Sequence, residues 1–325
     1  MTLVVSRTDV EYILSAHGGE VLRALVAGME AGYRELAEGM VRQHGRVYLR
    51  SPEDTRRRPP GLFSMSALLP RAGIMGTRLL ALSGHTGGGD GLLILFDYPS
   101  ARCLAIIDDS ILHQYRTGAP AALATRYLAR PDARRVACVG SSRIARGALT
   151  MVRQVLPSME AVRVYSPTES HRARFAAEMS AALGIEVRAV ASPEEAASEA
   201  DVVITATDAD RPVVPDRAIR NGTHVNVMAR NELELATFRR SKLVTTSIAQ
   251  LQAMDPPWHE PIPPQWFHCE LADLVVGKAA GRVSEAEVTV FIGSAPIAMW
   301  DVVAASVFYE AARKLGCGTE VEIAS

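Results

Sequence analysis

Between Arg135 and Thr246 the chain alternates short apolar runs with amphipathic stretches, and no other feature of its 325 residues restricts the fold so tightly. Arg135–Val139 reads as a strand and Ile144–Leu156 as a helix. Val162–Tyr165, Ser170–Leu183, Val187–Val190 and Pro193–Glu199 repeat the pair twice, and Ser192 stands where an N-cap belongs. Val202–Ala206, His224–Val227 and Leu243–Thr246 follow as strands. Strands that are apolar on both faces, separated by helices, predict a parallel sheet covered on both sides.

The flanking texture differs. Residues 8–38 read as two helices, with Val21, Leu25, Met29 and Leu36 near helical spacing. Val47–Leu49, Leu62–Leu69, Ile74–Leu82, Leu92–Phe96 and Cys103–Ile107 read as strands of an antiparallel or mixed sheet. The stretches Arg56–Pro60 and Gly84–Gly91 read as loops, as does the proline-rich Asp255–Gln265. Thr117–Leu128 is an Ala-rich helix, and a final helix spans Met299–Leu315. A lone helix cannot extend a parallel sheet, so it returns to the first domain. The expected architecture is α/β, with a parallel-sheet domain (118–290) inserted into a smaller α+β domain (1–117 plus 291–325).

Charge and cysteine usage exclude several functions. With 35 basic and 36 acidic side chains the net charge is −1, which argues against a general nucleic-acid binder. A hydrophobic share of 48% argues against disorder. Cys103, Cys138, Cys269 and Cys317 are scattered, with no C-x-x-C pair, so no metal site is expected. Their pattern suits reduced thiols in a cytoplasmic protein. No apolar run approaches the ~18–20 residues of a membrane helix.

The first strand of the alternating series runs into Gly140-Ser141-Ser142-Arg143-Ile144-Ala145 and then a helix. This is the place of a dinucleotide-binding turn, where glycine lets the backbone approach a pyrophosphate and the helix N-terminus offers N–H donors. Ser142 replaces the middle glycine of G-x-G-x-x-G/A, which requires a negative φ there. The domain is therefore expected to be of the Rossmann type. At the end of the second strand, where a carboxylate would select NAD, stand Ser166, Thr168 and Arg172. Hydroxyls and a cation suit a 2′-phosphate, so NADP(H) is favoured over NAD(H).

Several segments, in order over roughly residues 40 to 318, resemble the ornithine cyclodeaminase/mu-crystallin family. They are Leu104-Ala-Ile-Ile-Asp108 with Tyr115-Arg-Thr-Gly-Ala-Pro-Ala-Ala-Leu-Ala124, and the glycine turn itself. Next come Ala200-Asp-Val-Val-Ile-Thr-Ala-Thr207 with Pro212, and Gly222-Thr-His-Val-Asn-Val227 leading to Glu234-Leu235. Glu270–Lys278 with Gly281-Arg282, and Asp301 with Tyr309, Ala312 and Gly316, complete the set. The resemblance implies a homodimer. Its smaller domain would serve substrate binding and dimerisation, and its Rossmann domain would take NAD(P)(H), with Thr205, Ala206 and Thr207 at the cofactor. It implies Arg46 and Arg116 as carboxylate-binding residues, and Asp301 as a site aspartate.

Two positions depart from the family pattern. Arg78 stands where the family has a lysine, and arginine effectively cannot deprotonate. Asn231 stands where the family has its catalytic aspartate, with Glu232 beside it as a substitute. Cyclodeamination needs proton movements at the substrate amines, so it is disfavoured. Hydride delivery to an already protonated imine demands less. The expectation is an NADP(H)-dependent oxidoreductase reducing an imine or ketimine of a small amino-acid-like substrate, in specialised biosynthesis. Alternatives are a cyclodeaminase-type lyase using transiently reduced NAD, or a non-catalytic NADPH-dependent binder. His85 or Glu232 would move the proton, and Trp258 and Trp266 stand in the proline-rich loop, read as a packed surface loop with a mobile cover over the site as the alternative.

Overall fold

The structure is a computed structural model, described for residues 1–50, 60–82, 89–229, 231–253 and 261–323. It divides into two compact units, Met1–Arg116 with Ile297–Ser325, and Thr117–Pro296.

The first unit opens with strand β1 (Thr2–Val5) and helix α1 (Arg7–Ala37). Ser6 and Asp9 form a capping box at the start of α1, and the helix kinks at His17, whose φ is −137°. The two expected helices are thus one kinked rod. Strands β2 (Arg42–Gln43), β3 (Val47–Arg50), β4 (Gly61–Leu69), β5 (Ile74–Leu82), β6 (Gly91–Asp97) and β7 (Cys103–Asp108) follow. They pair antiparallel in the order β7-β6-β5-β4, with both β2 and β3 on β4, while β1 joins β7 in parallel. The sheet is mixed. Alternation along it is strict: Phe63, Met65, Ala67 and Leu69 of β4 are buried, and so are Leu93 and Leu95 of β6. The opposite phase leaves Leu62, Leu68 and Leu92 exposed. Helix α2 (Leu112–Leu128) begins five residues earlier than its Ala-rich stretch suggested.

The second unit is an all-parallel sheet built from β8 (Arg135–Val139), β9 (Ala161–Tyr165), β10 (Glu186–Ala189), β11 (Val202–Thr205), β12 (His224–Val227), β13 (Lys242–Thr245), β14 (Phe267–Glu270) and β15 (Thr289–Ile292). Its order is β10-β9-β8-β11-β12-β15-β13-β14, so β8 lies at the point where the winding reverses. The helices are α3 (Arg143–Val155), α4 (Glu169–Leu183), α5 (Pro193–Ala197), α6 (Leu235–Arg240), α7 (Ile248–Gln252) and α8 (Leu271–Val275). A boundary at residue 290 falls inside β15, which pairs with both β12 and β13. Thr289-Val-Phe-Ile292 is a short run whose partners are far away in sequence, and nothing local marks it as central.

The chain then returns to the first unit as α9 (Ala298–Leu315) and β16 (Thr319–Val321), which pairs with β1. Trp300 on α9 is fully buried and donates its indole N–H to the Tyr33 hydroxyl of α1 at 2.8 Å. This bond satisfies both polar tips inside an apolar layer.

Candidate active site

Each unit carries one part of the expected chemistry, and each is built by local rules. In the second unit β8 ends at Gly140, whose φ is +114°. A Cβ there would meet the Ala206 carbonyl oxygen at 2.3 Å, so only glycine fits between the ends of β8 and β11. Ser142 has φ −75° and caps α3 by accepting the Ala145 N–H. The negative φ that a serine needs at this place is therefore present. Its hydroxyl also reaches the Ala206 carbonyl at 3.3 Å, so the residue is tied into the turn. The remaining first-turn N–H groups of α3 have no acceptor within the helix and suit an anion. The residues present suit a nucleotide pyrophosphate, which the N–H groups of this turn would hold.

At the end of β9 no carboxylate stands. Ser166 is buried, and its hydroxyl accepts from the Ser141 hydroxyl at 3.0 Å. Arg172 donates to the carbonyls of Ser166 and Pro167 at 3.1 and 3.3 Å, holding its cation at the strand end. Thr168 is exposed at the N-cap of α4, and Arg143 is exposed in the first turn of α3.

Glu232 lies at the ends of β11 and β12. It is fully buried, and its carboxylate accepts from the Thr205 hydroxyl (2.7 Å), the Thr207 N–H (2.6 Å), the Thr207 hydroxyl (2.9 Å) and the Ala229 N–H (2.9 Å). Burial raises its carboxyl above the ordinary range against these four donors. It staples the β11 and β12 ends together. The hydroxyls of Thr205 and Thr207 are committed to it, while the Ala206 N–H donates to the Val139 carbonyl and the Ala206 carbonyl accepts from Ser142. Asn231 occupies a left-handed conformation, φ +60°, which Asn tolerates better than most residues.

The first unit gathers the arginines. Arg78 on β5 shares the buried face with Phe63 and Leu93 and is only 3% exposed. It donates from Nε to Asp109 Oδ2 at 2.7 Å, and its Nη2 lies 3.0 Å from His113 Nδ1. Arg116 on α2, 2% exposed, places Nη2 at 2.9 Å from the same His113 Nδ1. Its Nε lies 3.0 Å from Asp301 Oδ1, and Arg78 Nε lies 3.7 Å from that oxygen. Asp301, in the first turn of α9, is fully buried and does not cap the helix. Burial raises its carboxyl, and the Arg116 and Arg78 guanidiniums oppose this. Burial likewise lowers Arg116 to about 10, with Asp301 opposing and Arg78 adding to the fall. Arg46, exposed before β3, lies over the Phe63 ring at 5.2 Å, and Arg78 lies over that ring at 5.0 Å. Phe63 is thus held between two guanidiniums.

The structure brings together Arg46, Arg78, Arg116 and Asp301. His85 and Trp258 lie outside the described residues. Trp266, described in the second unit, carries Arg239 over its ring at 5.4 Å. Asp109, His113 and Phe63 are additional members that motif reading passed over. A signal existed: Asp109, His113 and Arg116 are spaced i, i+4, i+7, one face of a helix. Phe63 carried none, because its partners come from other strands.

Fold and site together define a class: a Rossmann-type parallel-sheet unit inserted into a mixed-sheet unit that carries a buried guanidinium–carboxylate cluster. The chain belongs to the ornithine cyclodeaminase/mu-crystallin family, whose family model matches residues 7–316. It is 31% identical to a Delta(1)-pyrroline-2-carboxylate reductase of Bacillus cereus over 72% of this chain and 74% of that protein. It is 26% identical to an alanine dehydrogenase of Archaeoglobus fulgidus, over 99% of this chain and 98% of that one. Among solved structures, the Delta(1)-pyrroline-2-carboxylate reductase of Thermococcus litoralis in complex with NADH and L-proline superposes with a TM-score of 0.85 at 29% identity, covering 98% of this chain and all of the other. No helix among the described residues is long and apolar enough to cross a membrane.

Proposed function

We propose that this protein is a nicotinamide-dependent reductase of a cyclic α-imino acid, of the class of Δ1-pyrroline-2-carboxylate, working in the cytoplasm as a homodimer. The observation that carries the reading is the arginine cluster. Arg46, Arg78 and Arg116 form a carboxylate-binding group whose geometry is held by two buried carboxylates, Asp109 and Asp301. A planar guanidinium fork grips a carboxylate in a fixed orientation, and orientation is most of what hydride transfer to C=N requires. When bound, the reduced nicotinamide supplies the hydride. The imine nitrogen of such a substrate arrives protonated, so the chain need not deliver a proton through a lysine.

Cyclodeaminase chemistry is the poorer fit. Arg78, standing in the family's lysine position, is locked to Asp109 and cannot shuttle protons. Asn231, in the family's aspartate position, cannot accept one. NADP(H) is the proposed cofactor, supported by Ser166 at the end of β9 and by Arg172 anchored at the same corner. A specialised biosynthetic role suits a chain that has replaced both family proton carriers.

The test is direct. Purified protein is mixed with NADPH or NADH and a panel of cyclic imino acids, and loss of the reduced nicotinamide signal is followed. Consumption with a lower KM for NADPH is expected. Product formed without net cofactor change would instead establish the lyase, and tight binding without turnover a binder. A lower KM for NADH would reject the 2′-phosphate corner.

A further inference from the structure

His113 belongs to no motif, yet its Nδ1 receives two guanidiniums, Arg78 Nη2 at 3.0 Å and Arg116 Nη2 at 2.9 Å. A guanidinium carries donors only. Nδ1 must therefore present its lone pair, which places the ring proton on Nε2 and leaves the imidazole neutral. We propose that His113 is a positioning residue: with Arg78 anchored by Asp109 and Arg116 by Asp301, His113 as a neutral acceptor draws the two Nη2 groups side by side, and the carboxylate-binding geometry is complete only while His113 is unprotonated. The kinetic consequence rests on the reductase reading above; the tautomer does not.

The surroundings set the sign. Arg78 faces the ring from β5 and Arg116 from α2. Asp109 Oδ2, just before α2, lies 3.9 Å from Nδ1 but is already engaged by Arg78 Nε at 2.7 Å. Asp301 on α9 faces both guanidiniums rather than the ring, and Arg46 acts on Arg116 and Asp301 from the edge of the cluster. A proton on Nδ1 would turn the shared acceptor into a donor, add a third cation to two, and break both contacts. Substrate carboxylate binding then weakens as pH falls, and the loss appears in KM rather than kcat.

Three full-length proteins test this: wild type, His113→Asn and His113→Ala, each with Δ1-pyrroline-2-carboxylate and reduced nicotinamide across the acid range. The Asn amide oxygen stands near the Nδ1 position, accepts from guanidiniums and does not titrate. His113→Ala is expected to raise KM about tenfold, the scale of one charge-assisted hydrogen bond, with a much smaller change in kcat. His113→Asn is expected to recover most of that loss and to flatten the rise of KM in acid. In parallel, long-range proton–nitrogen NMR of the wild-type imidazoles at neutral pH should show His113 as the Nε2–H tautomer. A Nδ1–H or doubly protonated ring, or an acid rise of KM that persists in His113→Asn, overturns the proposal. A Nε2–H tautomer in a protein that turns over no imine supports the bridging role and rejects the reductase reading instead.

Discussion

At the scale of single residues, the position that most alters the chemistry is Arg78. A lysine there would offer a point charge in place of a planar fork, and it could not hold Asp109 and His113 together. Arg78→Lys is therefore expected to lower kcat/KM by about ten- to a hundredfold, mostly through KM, because a point-charge ammonium loses the fork that orients a carboxylate in two bonds. Steady-state kinetics on the imino acid substrate measure it. Kinetics unchanged by the substitution would show that Arg78 lies outside the binding group. The neighbouring Gly91 belongs to the same arrangement, since a Cβ on it would meet Asp109 Oδ2 at 3.0 Å.

At the scale of elements, the β8–α3 turn joins two independent requirements. Gly140 is set by close approach to Ala206, and Ser142 by capping. Ser142→Ala should cost about 1 kcal/mol of stability, the usual value of a lost N-cap, and shift the urea midpoint accordingly. Gly140→Ala should be worse, because it combines a positive φ with a backbone clash, and nucleotide affinity measured by calorimetry should fall along with stability. If the two variants melt alike, the close approach at Gly140 is not the constraint. This element was legible in advance, because strand, glycine turn and helix are contiguous in the chain. The arginine cluster was only partly legible. Arg46, Arg78 and Arg116 could be singled out by position in a pattern, whereas the roles of Glu232, Asp109 and His113 depend on partners brought together by folding. Glu232 shows the limit plainly. Its four donors come from Thr205, Thr207 and Ala229, and nothing in the local sequence around Glu232 marks them.

At the scale of the whole molecule, the outward sheet face of the first unit exposes Leu62, Leu68 and Leu92, and β3 adds Val47 and Leu49. An apolar patch on an open sheet calls for a cover, and a second copy of the chain is the cover proposed here. Leu62→Lys with Leu92→Lys should shift the sedimentation of the protein from dimer to monomer. An unchanged dimer would place the interface elsewhere. Stability should also depend on pH through His224, which is buried on β12 and lowered to about 3, chiefly by burial and then by Arg282. It is neutral when folded and protonates in the unfolded chain, so its contribution is complete above about pH 6.5 and is lost as pH falls toward 3. The slope from this one group is up to about 1.4 kcal/mol per pH unit. Urea melts of His224→Asn should show a shallower acid decline than wild type, and an identical decline would assign the acid sensitivity to other groups.

The order of strand and helix, the glycine turn and the family are properties of the sequence itself, because periodicity and contiguous motifs are local. The partners of Arg78, the staple at Glu232, the bridge at His113 and the place of β15 in its sheet came only with the tertiary structure. Each joins residues far apart along the chain, and a buried charge acquires its role from whatever folding sets against it.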